Sequence, residues 1–351
     1  MAKILVTGGC GYIGSHTIVD LIEHGYDVIS VDNNSRSNPA ILEGAEKIVG
    51  KKVKNYRVDL CNFDDTFAIF QENEDIEGII HFAAFKAVGE SVDKPLMYFE
   101  NNITSLINLL KCVQEFKVPY FVFSSSCTVY GNPDKIPVTE LTPPKPAESP
   151  YGYTKQMGEQ IINEFAKSVP VRCILLRYFN PVGAHPSIHI GELPIGKPQN
   201  LVPAITQTAI GKIPKMTVYG DDYDTRDGSC IRDYIHVSDI ANAHTLSIKY
   251  LEEGKNNARC EVFNLGTGNG VTVLEAIHSF EKVSGIKLNY DIGPRRPGDV
   301  VAIYANNNLS KLKLGWNPQY SLDEMMLTAW EWEQKLKRDN FIFNEQKKNL
   351  N

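Results

Sequence analysis

The 351-residue sequence has little of what several large classes of protein depend on. Its formal net charge of −6 makes a general attraction to nucleic acid unexpected. No apolar run approaches the ~18 residues that a membrane helix needs, so no membrane partner is expected either. The seven cysteines are odd in number and scattered, without a C-x-x-C spacing. This argues against a zinc site or a disulfide framework and favours free thiols in a reducing compartment.

The chain is long enough for about two domains at the usual ~150 residues each. Directly after Met1 it enters a short apolar segment, residues 3–7, and then a glycine-rich loop, which leaves no room for a signal peptide. We therefore expect a cytoplasmic protein. Its composition, with 42% apolar and 22% charged residues, is that of an ordinary globular protein.

Short apolar runs in the first half of the chain alternate with segments of helical pattern. Strands are predicted at residues 3–7, 27–32, 53–58, 78–82, 120–124 and 171–177, and helices from the glycine loop to about residue 24 and at residues 63–70, 103–116 and 151–166. Fully apolar strands that alternate with helices are typical of a parallel sheet covered on both faces. The sequence therefore predicts an α/β fold with a Rossmann-type doubly wound parallel sheet, which binds ligands at the C-terminal ends of its strands.

This alternation breaks beyond residue 180. Residues 185–203 are rich in loop-forming types, and predicted strands at 234–237 and 262–265 flank a helix at 238–251. We expect this later unit to return to the first sheet. Two domains follow: residues 1–180 plus about 232–265, and a smaller mixed α/β C-terminal domain of residues 181–231 plus about 266–345.

The glycine-rich loop fits the pattern G-x-x-G-x-x-G at Gly8, Gly11 and Gly14. It follows a strand, opens a helix and precedes a second strand that ends in Asp32, which is the context of a dinucleotide-binding loop. Asp32 would accept hydrogen bonds from the adenosine ribose and repel a 2′-phosphate, favouring NAD over NADP. The alternative is a turn carboxylate. Arg36 is the one feature that could soften the exclusion of NADP.

A tyrosine and a lysine lie one helical turn apart further along the chain. Ser149 and Pro150 are typical of an N-cap and a first helical position, so Tyr151 and Lys155 share one face of a helix. A phenol must have its pKa lowered by about three units to act as a base at neutral pH. An adjacent ammonium, a helix N-terminus and a nicotinamide cation all act in that direction. An ordinary surface helix is the alternative, but the dinucleotide loop and Ser126 upstream favour a catalytic pair.

With these motifs the chain resembles the extended short-chain dehydrogenase/reductases and, among them, the UDP-glucose 4-epimerase family. The resemblance runs from about residue 1 to 299 and beyond. It is carried by T-G-G-x-G-Y-I-G at 7–14, residues 81–88, Asn101-Asn102, Ser124–Ser126, Tyr151-x-x-x-Lys155, residues 177–184, Asn200-Leu201, residues 232–237 and residues 295–299. The family implies interconversion of UDP-glucose and UDP-galactose through a transient 4-keto sugar, on tightly held NAD that is regenerated in each turnover.

The resemblance implies a role for each motif residue. Tyr151 takes the proton of the sugar 4-hydroxyl, Ser126 hydrogen-bonds that hydroxyl, and Lys155 lowers the pKa of Tyr151 and binds the nicotinamide ribose. The implied cofactor contacts are Gly8, Gly11, Tyr12, Ile13, Gly14, Asp32, Asn33, Asp59, Leu60, Phe82, Ala83, Ala84, Lys86, Asn101, Ser126, Tyr151, Lys155 and Tyr178. The implied substrate contacts are Lys86, Ser126, Tyr151, Asn180, Asn200, Leu201, Tyr219, Arg232, Arg296, Asp299 and Ile303.

Within these sets, Asp59 and Leu60 would flank adenine and Tyr219 would lie against uracil. The arginines would offer planar donors to the diphosphate, and Asp299 could hold the uridine ribose. The first domain would bind NAD and the second the nucleotide-sugar. A homodimer formed through two sheet-flanking helices is expected.

Plainer alternatives exist for several of these residues. Asn180 precedes a proline and could be a turn residue. His185 and His189 are spaced i, i+4, but no carboxylate or cysteine completes a site, so no metal is predicted. His81 and His236 lie in apolar strands and are interpreted as core histidines.

Three other functions compete with the first. A sugar-nucleotide 4,6-dehydratase or a decarboxylase would share the fold, but such relatives have acidic residues directly after the active-site Ser or Thr, where this chain has Cys127 and Thr128. A non-catalytic NAD-sensing protein would not need Ser126, Tyr151 and Lys155 together. The third is a UDP-N-acetylglucosamine/N-acetylgalactosamine 4-epimerase. Its substrates need room where Ile303 lies, four residues after Asp299, and isoleucine is neither a large aromatic nor a small residue, so this alternative stays open.

Overall fold

A parallel sheet of seven strands forms the centre of the computed structural model, which describes residues 1–194, 196, 198–296 and 299–339. The strands in chain order are β1 (Lys3–Thr7), β2 (Asp27–Val31), β3 (Asn55–Tyr56), β4 (Ile76–His81), β5 (Tyr120–Ser126), β6 (Arg172–Tyr178), β7 (Asn180–Val182), β8 (Met216–Tyr219), β9 (Ile231–Arg232), β10 (Tyr234–His236), β11 (Cys260–Leu265), β12 (Val271–Thr272) and β13 (Tyr290–Gly293).

The central sheet has the strand order β11-β6-β5-β4-β1-β2-β3, and every adjacent pair in it is parallel. The chain runs outward from β1 to β3, crosses back, and continues from β4 to β6. The carboxyl ends of β1 and β4 therefore lie side by side where the winding reverses. Open sheets of this kind bind ligands at such a reversal. The predicted α/β fold with a doubly wound parallel sheet is confirmed.

Helices cover both faces of this sheet. The α-helices of the described residues in chain order are α1 (Tyr12–Glu23), α2 (Pro39–Val49), α3 (Phe63–Glu72), α4 (Val88–Asp93), α5 (Pro95–Phe116), α6 (Pro150–Ser168), α7 (Leu201–Ala209), α8 (Val237–Glu252), α9 (Val273–Ser284), α10 (Asn308–Leu314) and α11 (Leu322–Arg338), of which α7, α9 and α11 pack away from this sheet. Successive residues of a strand point to opposite faces. Ile4 and Val6 of β1 accordingly pack in the cluster that contains Ile240 of α8, while Leu5 packs in the cluster that contains Leu109 of α5.

The largest differences in extent from the prediction concern two elements. Helix α5 begins at Pro95, not at residue 103. The residues that its first two turns bury are Tyr98 and Asn102, and because neither has an aliphatic side chain, these turns lack the apolar periodicity that marks a helix in the sequence. Strand β3 contains only Asn55–Tyr56 of the predicted 53–58. It lies at the edge of the sheet, where β2 is its single neighbour. Only Asn55 and Tyr56 pair with β2, and these two residues define the strand.

The expectation that residues 234–237 and 262–265 both return to the first sheet is half wrong. Strand β11 does join it, beside β6, with Cys260 opposite Cys173. Strand β10 instead pairs with β7, with Tyr234 opposite Asn180. The sheet position next to β6 is already filled by β11, so β10 pairs with the chain that continues beyond β6 at Asn180.

The remaining small sheets and helices pack around a third cluster. Strand β8 pairs with β13, and β9 with β12. Val218 of β8, Phe280 of α9 and Trp330 of α11 belong to this cluster. A search of the described helices found none that is long and apolar enough to cross a membrane.

Candidate active site

The glycine loop passes closely between the carboxyl ends of β1 and β4. Gly8 has a φ of +72°, in the left-handed region that favours glycine, and its amide donates to the Val31 carbonyl at 2.7 Å. A Cβ at Gly8 would lie 3.0 Å from the Ala83 nitrogen, and one at Gly14 would lie 2.3 Å from the Gly8 carbonyl oxygen. The Gly11 amide donates to that same oxygen at 3.0 Å. The three predicted glycines thus form one turn that has no space for side chains.

Asp32 follows β2 and holds two loops together. Its Oδ2 accepts the Cys10 N–H at 3.1 Å, and its Oδ1 accepts the Asn34 N–H at 2.9 Å and the Ser37 hydroxyl at 2.8 Å. A carboxylate has about four lone-pair sites, so these three donors leave capacity for one more. Asp32 is therefore more than a turn carboxylate, since it fixes the glycine loop itself.

Arg36 is committed to other partners. Its Nη2 donates to Glu90 Oε1 at 2.9 Å, and its guanidinium lies 5.0 Å from the centroid of the Phe85 ring. An arginine paired with a carboxylate has less charge to offer a 2′-phosphate. The feature that could have softened the exclusion of NADP is thus partly neutralised.

The residues predicted to flank adenine lie beside one another. Asn33 Nδ2 donates to Asp59 Oδ2 at 3.3 Å, and Asp59 Oδ1 accepts the Cys61 N–H at 2.9 Å. Leu60 is buried in the core cluster on this face of the sheet, and its carbonyl accepts Asn108 Nδ2 at 2.9 Å. The hydrogen-bonded pair of Asn33 and Asp59 lies near the surface, while Leu60 fixes the loop after β3 to the core.

The segment after β4 is fastened to β1. The Ala83 N–H donates to Thr7 Oγ1 at 3.2 Å, and the Phe82 ring lies 4.5 Å from the ring of His244. Ala84 is half-buried in the same segment. Ile13, in the first turn of α1, packs on the core cluster of the opposite face. Of these four predicted cofactor residues, Phe82 and Ala83 lie against Gly8 of the glycine loop.

A carboxylate that the sequence analysis missed brings several predicted residues together. Glu192 Oε1 accepts Lys86 Nζ at 3.3 Å and Asn200 Nδ2 at 3.0 Å. Lys86 Nζ also lies 5.9 Å from the Tyr12 ring, whose hydroxyl donates to the Gly183 carbonyl at 2.6 Å. Glu192 lies in a loop rich in proline and glycine, and nothing in its local sequence marks it. Leu201, the neighbour of Asn200, begins α7 and packs on the third cluster.

Asn102 was missed beside Asn101. Asn101 Nδ2 donates to Asn102 Oδ1 at 2.9 Å. Asn102 also accepts the Phe85 N–H at 2.8 Å and donates to Thr154 Oγ1 at 3.1 Å. It therefore ties the segment after β4 to the helix of Tyr151, while the predicted residue Asn101 contacts it from the surface side.

Ser126, Tyr151 and Lys155 converge at the carboxyl end of β5. Ser126 is the last residue of that strand, and the other two lie in the first turns of α6. Lys155 Nζ donates to the Ser124 carbonyl at 2.7 Å and lies 5.9 Å from the centroid of the Tyr151 ring. Tyr178, the last residue of β6, shares a 2.6 Å hydrogen bond with the Ser124 hydroxyl. Four predicted residues thus lie together, with Ser126, Tyr151 and Lys155 buried and Tyr178 half-buried.

Burial sets the protonation of this group. It raises the pKa of Tyr151 above its ordinary value, an effect that the nearby Ser126 hydroxyl opposes. It lowers the pKa of Lys155 to about 8, with the Glu159 carboxylate opposing. In the protein alone, desolvation therefore outweighs the opposite effect expected of the adjacent ammonium and the helix N-terminus on the pKa of the phenol.

Arg232 and Arg296 meet at one carboxylate. Arg232 Nη2 donates to Asp299 Oδ1 at 3.3 Å, and Arg296 donates to the two oxygens of Asp299 at 2.8 and 3.1 Å. The Arg296 guanidinium lies 5.7 Å from the centroid of the Tyr219 ring, which is 46% exposed. The predicted diphosphate and uridine residues therefore lie together, with Asp299 partly neutralising both arginines.

Ile303 and Asn180 lie nearer the sugar end of the predicted site. Ile303 is 6% exposed and packs in a cluster with Tyr130 and Phe179, against which Cys127 also packs. Asn180 is the first residue of β7, and its N–H donates to the Asp233 carbonyl at 3.0 Å. The interpretation of Asn180 as a turn residue is therefore wrong.

The histidines have protein partners. His81 is buried, with its Nδ1 2.8 Å from the Thr7 hydroxyl, and His236 Nδ1 accepts the Ser238 N–H at 3.1 Å. The interpretation of these two as core histidines is confirmed. His185 and His189 both contact Ser187 through Nδ1, at 2.8 Å each. No group of three or more possible metal ligands was found in the part of the chain that the structure describes.

Comparison with known proteins shows which family has a sequence similar to this one. The family model described as GDP-mannose 4,6 dehydratase matches residues 5–328. A UDP-glucose 4-epimerase of Pasteurella multocida is 47% identical over 333 residues, covering 95% of this chain and 97% of the relative. The enzyme of that name from Bacillus subtilis is 46% identical over 331 residues, covering 94% and 96%.

Solved structures agree with these sequences. The chain is similar to the UDP-glucose 4-epimerase of Bifidobacterium longum in complex with NAD⁺ and UDP, with a TM-score of 0.91, 45% identity, and coverage of 95% of this chain and 98% of that one. It is also similar to the enzyme of Stenotrophomonas maltophila with bound NAD and formylated UDP-arabinopyranose, with a TM-score of 0.93, 42% identity, and coverage of 97% and 100%.

Proposed function

Since the chain belongs to the UDP-glucose 4-epimerase family of extended short-chain dehydrogenase/reductases, we propose that it interconverts UDP-glucose and UDP-galactose through a transient 4-keto sugar with NAD bound. One observation carries the proposal: Ser126, Tyr151 and Lys155 form a single buried group at the carboxyl end of the sheet. That group lies on the β4–β6 side of the reversal in winding, where open sheets bind ligands.

The residues present fit NAD. Side chains at Gly8 and Gly14 would collide with backbone, so the loop exposes main chain to a pyrophosphate, and Asp32 retains capacity for one donor such as a ribose hydroxyl. We propose the remaining predicted cofactor residues as the contacts around this core. When bound, NAD supplies a hydride acceptor for carbon 4 of the sugar.

The chemistry left to the protein is proton transfer. Tyr151 takes up the proton of the 4-hydroxyl, and Ser126 hydrogen-bonds the same hydroxyl and relays the proton. Lys155, anchored on the Ser124 carbonyl, keeps a cation near the phenol. Since burial raises the pKa of Tyr151, Lys155 acts against this rise, and a bound nicotinamide cation would add a second positive charge that favours the ionised phenol.

The nucleotide part of the substrate has a matching set of side chains. We assign Arg232 and Arg296 to the diphosphate, because planar guanidinium donors match its oxygens. Tyr219 offers an exposed ring for the uracil, and Asp299 a carboxylate for the uridine ribose. Because Asp299 now pairs with both arginines, binding of the diphosphate exchanges one anion for another at the same donors. The two predicted domains, one for NAD and one for the nucleotide-sugar, are part of this proposal.

A second copy of the chain is the proposed partner. Leu96 and Ile107 of α5 and Tyr153 of α6 are exposed large hydrophobic side chains on two adjacent helices at one face of the sheet. Grouped exposed apolar residues are typical of an interface. Light scattering on the purified protein would give twice the 39.3 kDa mass of the chain if this holds, and the single-chain mass if it does not. We also propose a cytoplasmic location, since the seven cysteines are free thiols and such thiols persist in reducing compartments.

The competing functions are less well supported. Burial raises the pKa of Cys127 to about 12, so this residue is a neutral thiol where a dehydratase would need a charged carboxylate. The relatives described above are all named for UDP-glucose, which does not favour the N-acetylated alternative.

Incubation of the purified protein with UDP-galactose and added NAD tests the proposal. UDP-glucose is the expected product, separated and identified by chromatography and proton NMR. A 4-keto-6-deoxy sugar would support the dehydratase instead, and unchanged UDP-galactose would contradict both enzymes.

A further inference from the structure

A buried ion pair lies behind the catalytic lysine. Arg177 donates to Glu159 through Nε at 2.9 Å and through Nη2 at 2.6 Å, and the side chains of both residues are less than one-tenth exposed. The Ser125 hydroxyl donates to the same carboxylate at 2.5 Å, and Tyr130 accepts a further guanidinium N–H at 3.1 Å. Two-point pairing with a third donor fixes the carboxylate in place. None of these residues has a role in the proposed reaction.

Glu159 and Lys155 lie on one face of α6, and both side chains hydrogen-bond to β5. They are spaced i, i+4, so their side chains are neighbours on the helix. Lys155 is anchored on the Ser124 carbonyl and Glu159 on the Ser125 hydroxyl, which are adjacent residues of β5. Ser126 comes next on the strand. The carboxylate is therefore held one turn behind the lysine, on the side away from Tyr151.

The other groups that face Lys155 are neutral at physiological pH. His81 of β4 is buried, which lowers its pKa to about 3. Tyr178 of β6 is a half-buried phenol, and desolvation raises its pKa to about 12. The Phe123 ring of β5 lies 4.9 Å from Lys155 Nζ. Among the described residues that act on Lys155, Glu159 is thus the one with a negative charge.

Lys155 needs that charge because burial acts against its ammonium form. Its pKa is lowered to about 8 even with Glu159 opposing the desolvation. A neutral amine beside Tyr151 would give the phenol no help in ionising. The carboxylate in turn remains charged in a buried place because Arg177 pairs with it.

We propose that Glu159, fixed by Arg177 and Ser125, is a positioning residue that keeps Lys155 in its ammonium form beside Tyr151. This inference rests on the proposed function for its consequence in turnover. The statement about Lys155 itself does not depend on the substrate.

A polar cavity limits the size of the effect. It has a volume of about 390 Å³ and is lined by Glu159, Arg177, Gln156 and Asn163 on the far side of the ion pair. The polar lining of this cavity and the Arg177 cation both screen the carboxylate. Two charges about one helical turn apart interact by roughly 2–3 kcal/mol at an effective dielectric constant near 20, and this screening reduces the expected shift of Lys155 to about one pH unit.

One substitution of a charged group tests the proposal. Glu159→Gln removes the negative charge, keeps the shape and is expected to lower the titration midpoint of Lys155 by about one pH unit. The midpoint is read from the ε-carbon signal in NMR spectra of protein containing ¹³C-labelled lysine, assigned with Lys155→Met.

Two controls separate charge from shape. Glu159→Asp keeps the charge, so its lysine midpoint is expected to stay near that of the wild type, although its contacts are disturbed more than by Gln. Glu140→Gln removes another partly buried carboxylate, which accepts the Asn264 N–H at 2.8 Å and does not act on Lys155, and is expected to leave the midpoint unchanged.

Turnover of UDP-galactose supplies the second readout. The alkaline limb of kcat should move to lower pH in Glu159→Gln by the same amount as the lysine midpoint, and should remain in place in Glu140→Gln. An unchanged midpoint in Glu159→Gln, or an equal shift in Glu140→Gln, would overturn the proposal. If the wild type fails to convert UDP-galactose while the lysine midpoints shift as expected, the proposed function fails and the role of Glu159 stands.

Discussion

Replacing Tyr151 by phenylalanine removes one oxygen atom from the centre of the proposed site. The ring is 8% exposed, so its packing in the first turn of α6 is retained. The interaction of the phenol with the Ser126 hydroxyl is lost, but Ser126 still accepts the Thr128 N–H at 3.2 Å. A single neutral hydrogen bond contributes about 1 kcal/mol, so the fold should survive the change.

The effect on turnover should be much larger than the effect on stability. Loss of a positioned acid or base typically costs ~10²–10⁴ in rate, which corresponds to about 3–5 kcal/mol of activation free energy. We therefore expect kcat to fall by at least a hundredfold while the affinity for UDP-galactose, measured by calorimetry, changes little. The uridine and diphosphate contacts proposed for Tyr219, Arg232 and Arg296 do not involve Tyr151.

The same helix provides a matched control. Tyr153→Phe removes the same atom two residues away, from a side chain that is 51% exposed, and should leave kcat unchanged. Turnover of Tyr151→Phe within a few-fold of the wild type would show that another group takes the proton. Equal losses in both variants would point to damage to α6.

Three further predictions concern the cofactor, the sugar pocket and pH. The protein should retain NAD through purification, because the glycine loop and Asp32 hold one end of the cofactor. Denaturation of the protein releases the nucleotide for analysis, and finding only NADP, or no nucleotide even with added NAD, would contradict the role of Asp32. UDP-N-acetyl sugars should be weak substrates, since overpacking near Ile303 costs ~1–3 kcal/mol. Ile303→Ser should raise kcat/KM for UDP-N-acetylgalactosamine, and Ile303→Tyr should abolish activity on that substrate. Equal efficiency of the wild type on plain and acetylated substrates would refute this role of Ile303. Burial lowers the pKa of four histidines to about 3–4, so the unfolded chain binds protons at a higher pH than the folded protein does. The contribution of these groups to the free energy of unfolding should therefore be fully present above about pH 6.5 and should fall as the pH drops below that value. Urea midpoints that stay constant from pH 7 to about pH 5 would contradict this prediction. The four histidines are His16, His81, His236 and His244.

The central sheet was predictable because its signals are local. Apolar strands such as β1 and β5 are buried on both faces, so composition alone indicates them. The start of α6 was also encoded locally, by Ser149 and Pro150. Pairing was less accessible: the sequence of β10 marks a strand but does not say that β7 is its neighbour, because pairing depends on which sheet positions are already filled.

The polar support of the site could not be predicted from spacing. Glu192 joins Lys86 to Asn200 across 106 and 8 residues of sequence, and the Glu159 carboxylate meets Arg177 from another element. Carboxylates in loops and on helix surfaces are common, and only the fold shows which ones are buried against a cation. The motifs therefore predict the groups that react, while the structure is needed to find those that hold them.

An isotope experiment tests the central claim most directly. UDP-galactose carrying deuterium at carbon 4 is incubated with the purified protein, and the UDP-glucose formed is analysed by NMR and mass spectrometry. The proposed mechanism returns the same hydrogen to the same carbon, so the product should keep its deuterium at carbon 4 and gain none from the solvent when unlabelled substrate is used in D₂O. Loss of the label to solvent, or the absence of UDP-glucose, would contradict the account.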